Sequence, residues 1–282
     1  MGQLCDKITC IEQRDYFSSL SKFLRYKSVD NTYLYLDFKY GCISSLDTIY
    51  LKDQLVQFQK LKILVMNLIS NQLSEKAAFN LGQAFSQCQN LKIIKLCLSQ
   101  NKISDSGASK LGQLLGQCSN ISQLYLEMND NLIGDDGSSE LGFGLSNCKN
   151  LKTLSINLSG NNHIRERGAS NMAMGIGSCQ QIINFKLNLI CNQIGAVGTA
   201  NIALGVSKSQ TLQFFTLFLR DDTIGDQGLC NFVDNLNYCS NLCCLELIIQ
   251  DRSITHSVKM CLNKKIKKIK KLIQYQIMFS CL

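Results

Sequence analysis

Cys88, Cys118 and Cys148 stand 30 residues apart, Cys179 follows after 31, and Cys239 lies 60 beyond it, with Ser209 in the vacant slot. Self-similarity at a fixed period of this length predicts an array of equivalent stacked units. The rest of the unit follows by superposition. Three residues after each slot comes an apolar residue: Leu91, Ile121, Leu151, Ile182, Leu212 and Leu242. Three alternating apolar positions come next, as in Ile94-Leu96-Leu98, Leu124-Leu126-Met128 and Leu154-Ile156-Leu158. They recur as Phe185-Leu187-Leu189, Phe215-Leu217-Leu219 and Leu245-Leu247-Ile249. Alternation with period two predicts a strand with one buried face.

After each strand an Asn arrives at a fixed offset, Asn101, Asn131, Asn161 and Asn192, with Asp222 and Arg252 as departures. This column is expected to hydrogen-bond exposed loop backbone. Ile103, Ile133, Ile164, Ile194, Ile224 and Ile254 close the turn. Asp105, Asp135 and Asp226 then sit where a helix N-cap belongs,. Apolar residues at spacing four follow, such as Leu111 and Leu115 or Leu141 and Leu145, and mark one helical stripe,. Recurring Gly and Ala at helix positions allow close packing of successive helices.

Thirty residues before this block the pattern is Leu61, Leu64-Met66-Leu68, Asn71 and Leu73, and a second step reaches Leu34-Leu36-Phe38. Forward from Leu242, the period lands on Leu272, and Tyr275-Ile277-Phe279 takes the strand positions. The chain is therefore expected to hold about nine strands and eight helices. Residues 1–27 would cap a repeat domain over 28–282, made of about eight units of 30–31 residues and a terminal strand at 275–279. One insertion falls near Asn161-Asn162-His163.

The run Leu91-x-x-Ile94-x-Leu96 through Asn101-x-Ile103, with a long helix after it, resembles the leucine-rich repeat of the ribonuclease-inhibitor-like type. The resemblance covers roughly residues 30–280. The additional apolar strand position at Leu98, Met128, Leu158, Leu189 and Leu219 is a departure. Thirty-residue arrays rich in Asn, Gln and Cys are similar to those of ciliate protist families, some of whose members also carry a protein kinase domain. The resemblance implies an α/β horseshoe solenoid with a parallel sheet on the concave face and α-helices on the convex one. The geometry agrees, because parallel strands stack about 4.8 Å apart and packed helices about 8–10 Å. That mismatch bends the stack.

Charge and cysteine content bound the function. The net charge of +8 is local, since Lys259, Lys264, Lys265, Lys267, Lys268, Lys270 and Lys271 leave the remainder at about +1. Fifteen cysteines without a secretory leader predict free thiols in a reducing, cytoplasmic setting,. No apolar run approaches the ~18 residues of a spanning helix. The five slot cysteines are expected to be small buried hydrophobes.

Chemistry finds no foothold. There is no phosphate loop, no GxSxG, no HExxH and no kinase HRD or DFG, so no enzyme activity and no cofactor are implied,. Gly142-Phe143-Gly144 and Gly175-Ile176-Gly177 fall on helix positions and read as packing. Cys230, Cys239, Cys243, Cys244 and His256 cluster in sequence, but without a CxxC pair they do not make a zinc site,. His163 reads as a solvated turn residue.

The inner sheet face is the candidate site. Tyr35, Asp37, Lys95, Tyr125, Glu127, Lys186, Phe218 and Glu246 point into the concavity and suit recognition of a protein partner,. Solvent-exposed aromatics at Tyr35, Tyr125 and Phe218 are its expected anchors, and scattered charges of both signs argue against a polyanion there.

The lysine run offers a second candidate, a basic patch of Lys264, Lys265, Lys267, Lys268, Lys270 and Lys271. With Val258, Leu262, Ile266 and Ile269 as the core stripe of the last helix, the lysines would fill its convex face. A solvated cap, an acidic protein or anionic lipid would suit them, whereas nucleic acid is the weakest partner because no aromatics interleave. Gly2 with Cys5 hints at acylation, against which Asp6 stands. Similar repeats also serve as GTPase-activating or inhibitory regulators, for which Arg220 at a strand exit is the candidate finger.

Overall fold

The computed structural model describes residues 15–161, 163–220 and 223–279. Among them, ten parallel strands form one sheet in chain order. β1 (Tyr16–Phe17) leads into β2 (Tyr33–Asp37), β3 (Ile63–Asn67), β4 (Ile93–Cys97) and β5 (Gln123–Glu127). β6 (Thr153–Asn157), β7 (Asn184–Asn188), β8 (Phe214–Arg220), β9 (Cys244–Gln250) and β10 (Gln274–Phe279) complete it.

Each return runs through a helix on the other side of the sheet. These are α1 (Leu20–Leu24), α2 (Asp47–Leu55), α3 (Glu75–Gln87), α4 (Asp105–Gly116) and α5 (Asp135–Leu145). α6 (Glu166–Gly177), α7 (Gly195–Val206), α8 (Gly225–Leu236) and α9 (His256–Ile266) follow. The architecture is an open α/β solenoid horseshoe, strands on one face and helices on the other. The extra strand and helix over the expected nine and eight are β1 and α1. Residues 1–14 of the expected cap lie outside the described residues.

One repeat cannot bury its own stripe, so the register must bring like onto like. Leu64 pairs with Ile94, Leu124 with Leu154 and Leu217 with Leu247. These residues are at most 1% exposed. Each contributes about 1.5–3 kcal/mol by leaving water. At the N-terminal end, Phe23 is fully buried and stacks on Phe58 at 5.8 Å, with Phe17 edge-on at 5.2 Å. Gly142 and Gly175 let neighbouring helices touch: a Cβ on Gly142 would stand 2.7 Å from the Cα of Met172, and one on Gly175 2.6 Å from the carbonyl carbon of Gly142.

The asparagine column corrects the expectation of exposed loop contacts. Asn71, Asn101, Asn131, Asn161 and Asn192 are buried and form a ladder through the turns. Asn131 Nδ2 donates to the carbonyls of Leu98 (3.0 Å) and Met128 (3.1 Å), and its Oδ1 accepts from the N–H of Ile103 (3.0 Å). The same bonds recur at Asn101 and Asn161, each stitching one turn to the turn before it. Asn192, beside the insertion, keeps its donor bonds, but its Oδ1 is buried without a partner among the described residues. Beyond it, β8 and β9 lengthen from five residues to seven, pairing Leu219 with Ile249 and Arg220 with Gln250. Extra backbone pairing takes over where the asparagines stop.

The aspartates also differ from expectation. Asp105 and Asp135 are the first residues of α4 and α5, not caps of their own helices. Each caps the next helix. Asp105 Oδ1 accepts from the N–H groups of Gly134 (2.6 Å) and Gly137 (2.9 Å), and Asp135 Oδ1 from Arg165 and Gly168 (both 2.8 Å). Asp226 does the same for Thr255 at 2.7 Å. The slot cysteines behave as buried hydrophobes, with Cys148 Sγ donating to the Leu115 carbonyl at 3.3 Å. Burial pushes the thiols of Cys88, Cys118, Cys148, Cys179 and Cys239 up to about 12.

Candidate functional site

Because the strands alternate, every second residue of the sheet faces the concavity and register lines these residues into rows. The central row runs Tyr35, Val65, Lys95, Tyr125, Ser155, Lys186, Thr216 and Glu246. Beside it runs a second row, Asp37, Asn67, Cys97, Glu127, Asn157, Asn188, Phe218 and Ile248. All eight expected concave residues are therefore on one face, spread along it and not gathered in one cluster. Tyr35, Tyr125 and Phe218, expected as solvent-exposed aromatics, are half-buried.

Cations lie across aromatics on this face. Lys95 Nζ is 5.3 Å from the centre of the Tyr125 ring, and Lys186 Nζ is 4.9 Å from that of Phe218. Acids are tied down by neighbours one strand on or back. Asn157 Nδ2 donates to Glu127 Oε2 at 2.7 Å, and Thr216 Oγ1 donates to Glu246 Oε2 at 3.2 Å. Burial pushes the Glu127 carboxyl above its ordinary range, while the Asn157 bond and the Lys186 charge pull it back. Asp37 accepts from Tyr16 at 3.5 Å and faces Lys39 at 3.9 Å.

Between Tyr125 and Lys186 the face sinks. β6 presents only Thr153, Ser155 and Asn157, short side chains beside long ones, and Ser155 is 7% exposed. Tyr125, Thr153, Ser155, Lys186, Phe214 and Thr216 surround a hollow of about 280 Å³. Phe214, 41% exposed, had no place in the sequence-derived site. The sequence pattern starts the strand at Phe215, whereas pairing of Phe214 with Asn184 begins it one residue earlier and adds a third concave row. The signal was present as a small residue in register between two large ones. A second hollow of about 380 Å³, lined by Lys152, Gln181, Gln210, Gln213 and Asn241, lies at the strand-entry edge.

The basic patch departs from its expected place. Leu262 and Ile266 are fully buried, but α9 ends at Ile266, so Lys267, Lys268, Lys270 and Lys271 lie in the return to β10 and not on the convex helix face. Ile269 is the register equivalent of Cys239 and fills the slot that follows every helix. Lys264 and Lys265 occupy the last turn of α9. Lys265 meets Asp234 at 2.8 Å, and Lys271 donates to Asn241 Oδ1 at 2.6 Å.

Among the described residues no three His, Cys, Asp or Glu side chains group to hold a metal ion. No helix among them is long and apolar enough to cross a membrane. Arg220 is exposed at the end of β8. Gly2 and Cys5 lie outside the described residues, as does Asp222.

No protein-family model matches the chain, and no curated protein does either. Among solved structures it is similar to a chain from the octameric complex of Latrophilin 3, Unc5D and FLRT2 (LRR), at 16% identity and a TM-score of 0.41. That match takes in 81% of this chain and 65% of the other, so the chain spans less than two thirds of its length. It is also similar to a chain of the yeast Rad7–Elc1 complex, at 14% identity and a TM-score of 0.32, over 86% of this chain and 77% of that one. The LRR ectodomain of the Arabidopsis thaliana receptor kinase GASSHO1/SCHENGEN3 matches at 13% identity and a TM-score of 0.16, over 80% and 42%.

Proposed function

We propose that the chain is a non-enzymatic scaffold of the cytoplasm that binds another protein on its concave sheet, with residues 1–27 as the cap of the array. The hollow over Ser155 carries this reading. It offers a recess rimmed by Tyr125 and Phe214, with Lys186 and Glu127 close by to orient a polar group. Protein interfaces concentrate binding energy in such aromatic-lined recesses surrounded by a polar rim. The ribonuclease-inhibitor-like reading of the repeats accords with a full helix in nearly every return.

Capture from native cytosol tests it, with intact chain, a Ser155→Arg variant that fills the hollow, and a Tyr125→Ala/Phe218→Ala variant. A protein retained by the intact chain and lost at least about tenfold by both variants supports the reading. Equal retention by all three folded forms overturns it. Recovery of anionic lipid instead, lost on Lys→Gln substitution at 264–271, transfers the function to the basic end.

A further inference from the structure

A second asparagine column runs along the strand-entry edge of the sheet. Asn90, Asn120 and Asn150 each donate Nδ2 to a carbonyl of the preceding repeat, those of Gln59, Gln89 and Ser119, at 2.7 Å. Asn241 does the same to Gln210. Between Asn150 and Asn241 the column breaks, because Gln181 and Thr211 stand in the two intervening places. Thr211 donates its hydroxyl to the Ile182 carbonyl at 2.8 Å instead. The carbonyls of Lys149 and Gln180, which asparagines there would close, accept no hydrogen bond among the described residues. The hollow of about 380 Å³ at the strand-entry edge opens at this break.

That hollow adjoins the concave one. Lys152, Ile183 and Gln213 line the first, and the residues that follow them in the chain, Thr153, Asn184 and Phe214, line the second. Together they make one groove, from the recess between Tyr125 and Phe214 to the entry edge of β6, β7 and β8.

The groove holds no acid. Neither hollow has an Asp or Glu around it, whereas Lys152 lines one and Lys186 the other. Among the described residues neither lysine meets a carboxylate within 4.0 Å. The acids of the concave rows on β5 and β9 are held already, Glu127 by Asn157 and Glu246 by Thr216. Two lysines without carboxylate partners beside an aromatic-walled recess call for a carboxylate and an aromatic ring. The open carbonyls of Lys149 and Gln180 suit peptide N–H groups, and the amides of Gln181, Gln210 and Gln213 can donate or accept. A longer polyanion, such as a nucleic-acid strand, would run from the lysines onto Glu127 and Glu246 and be repelled.

We infer that this groove takes an extended segment of the protein partner in which one aromatic residue lies two or three residues from Asp or Glu. The ring enters the recess over Ser155, and the carboxylates meet Lys186 and Lys152. An extended chain advances about 3.3 Å per residue, so two or three residues carry it from the recess to the entry edge. The inference rests on the concave-face reading and adds the partner's chemistry to it.

The probe is a displayed library of random twelve-residue peptides, selected on the intact chain and counter-selected on Ser155→Arg. Enriched peptides are synthesised with a label and titrated by anisotropy into the intact chain and a Lys152→Gln/Lys186→Gln variant, both checked by circular dichroism. Enrichment of an aromatic residue two or three places from Asp or Glu is expected. Affinity should fall about tenfold on the lysine variant, and comparably when the peptide's acids become amides or its aromatic residue becomes Ala. Peptides that lose binding on Ser155→Arg yet lack acids, or bind the lysine variant equally, overturn the inference and leave concave docking standing. Peptides indifferent to Ser155→Arg overturn both. Lysine-dependent binding of phosphatidylserine vesicles or single-stranded DNA, with no peptide enriched, also overturns the inference.

Discussion

Asp105 Oδ1 lies 2.6 Å from the backbone nitrogen of Gly134 and 2.9 Å from that of Gly137, so the first residue of one helix caps the next one along. Asp135 repeats the arrangement on Arg165 and Gly168. A cap delivered across the repeat boundary couples neighbouring units, and in a solenoid that coupling is what makes unfolding cooperative.

Asp135→Ala is therefore expected to cost about 1–2 kcal/mol in urea unfolding and to broaden the transition. Asp136→Ala, which loses only an exposed pair with Arg167 at 2.6 Å, should fall within about 0.5 kcal/mol of the parent,. Equal losses from the two substitutions would mean that Asp135 acts as surface charge.

Asn131→Ala strips the Ile103 N–H of its partner and takes one of two donors from each of the carbonyls of Leu98 and Met128, which keep Asn101 Nδ2 at 2.9 Å and Asn161 Nδ2 at 3.1 Å. A loss of about 1–3 kcal/mol is expected, from leaving one buried N–H unsatisfied. Asn131→Asp should cost at least as much, because it sets a carboxylate against two carbonyls. Thermal unfolding of the pair checks both statements.

The strand positions and the Cys slots were legible from periodicity alone, since Leu124, Leu126 and Met128 repeat their neighbours' pattern one unit away and are buried as expected. That one face holds Tyr125 and Glu127 follows from the same alternation. The hollow did not follow. It depends on β8 starting at Phe214, a shift that hydrogen bonding decides and hydropathy does not. Nor did the caps: a local rule assigns Asp105 to its own helix, whereas its partners lie 29 and 32 residues on. Ile266 and Ile269 are spaced like a helical stripe, but Ile269 fills the slot after the helix, and so the lysines fall in the turn.

Thiol labelling separates the cysteines by environment. With their thiols pushed up to about 12, Cys88, Cys118, Cys148, Cys179 and Cys239 hold almost no thiolate at pH 8 and are walled off from reagent,. Among the described cysteines, iodoacetamide on the folded chain should modify the exposed Cys42, Cys191 and Cys261 first. Peptide mass mapping that found a slot cysteine among the fastest would contradict the burial.

Glu127 sets a pH dependence. Burial raises its carboxyl in the folded chain, so the folded state holds this proton to higher pH than the unfolded one. Stability from this group then falls as pH rises from the unfolded value through the raised folded one. The penalty is absent below that window and complete above it. Glu127→Gln should flatten this part of the stability–pH profile, measured by urea midpoints between pH 4 and 8, roughly the window for a raised carboxylate. An unchanged slope would place the titration elsewhere.

The central claim is that the concave sheet, and not the helical back, receives a protein partner. Site-specific photo-crosslinking tests it most directly, with a benzophenone side chain placed at Tyr125 on the concave rim or at Phe143, 43% exposed on α5. Irradiation in native cytosol should give one discrete protein adduct from position 125, abolished by Ser155→Arg, and none from position 143. Adducts from 143 alone, or a 125 adduct indifferent to filling the hollow, would contradict it.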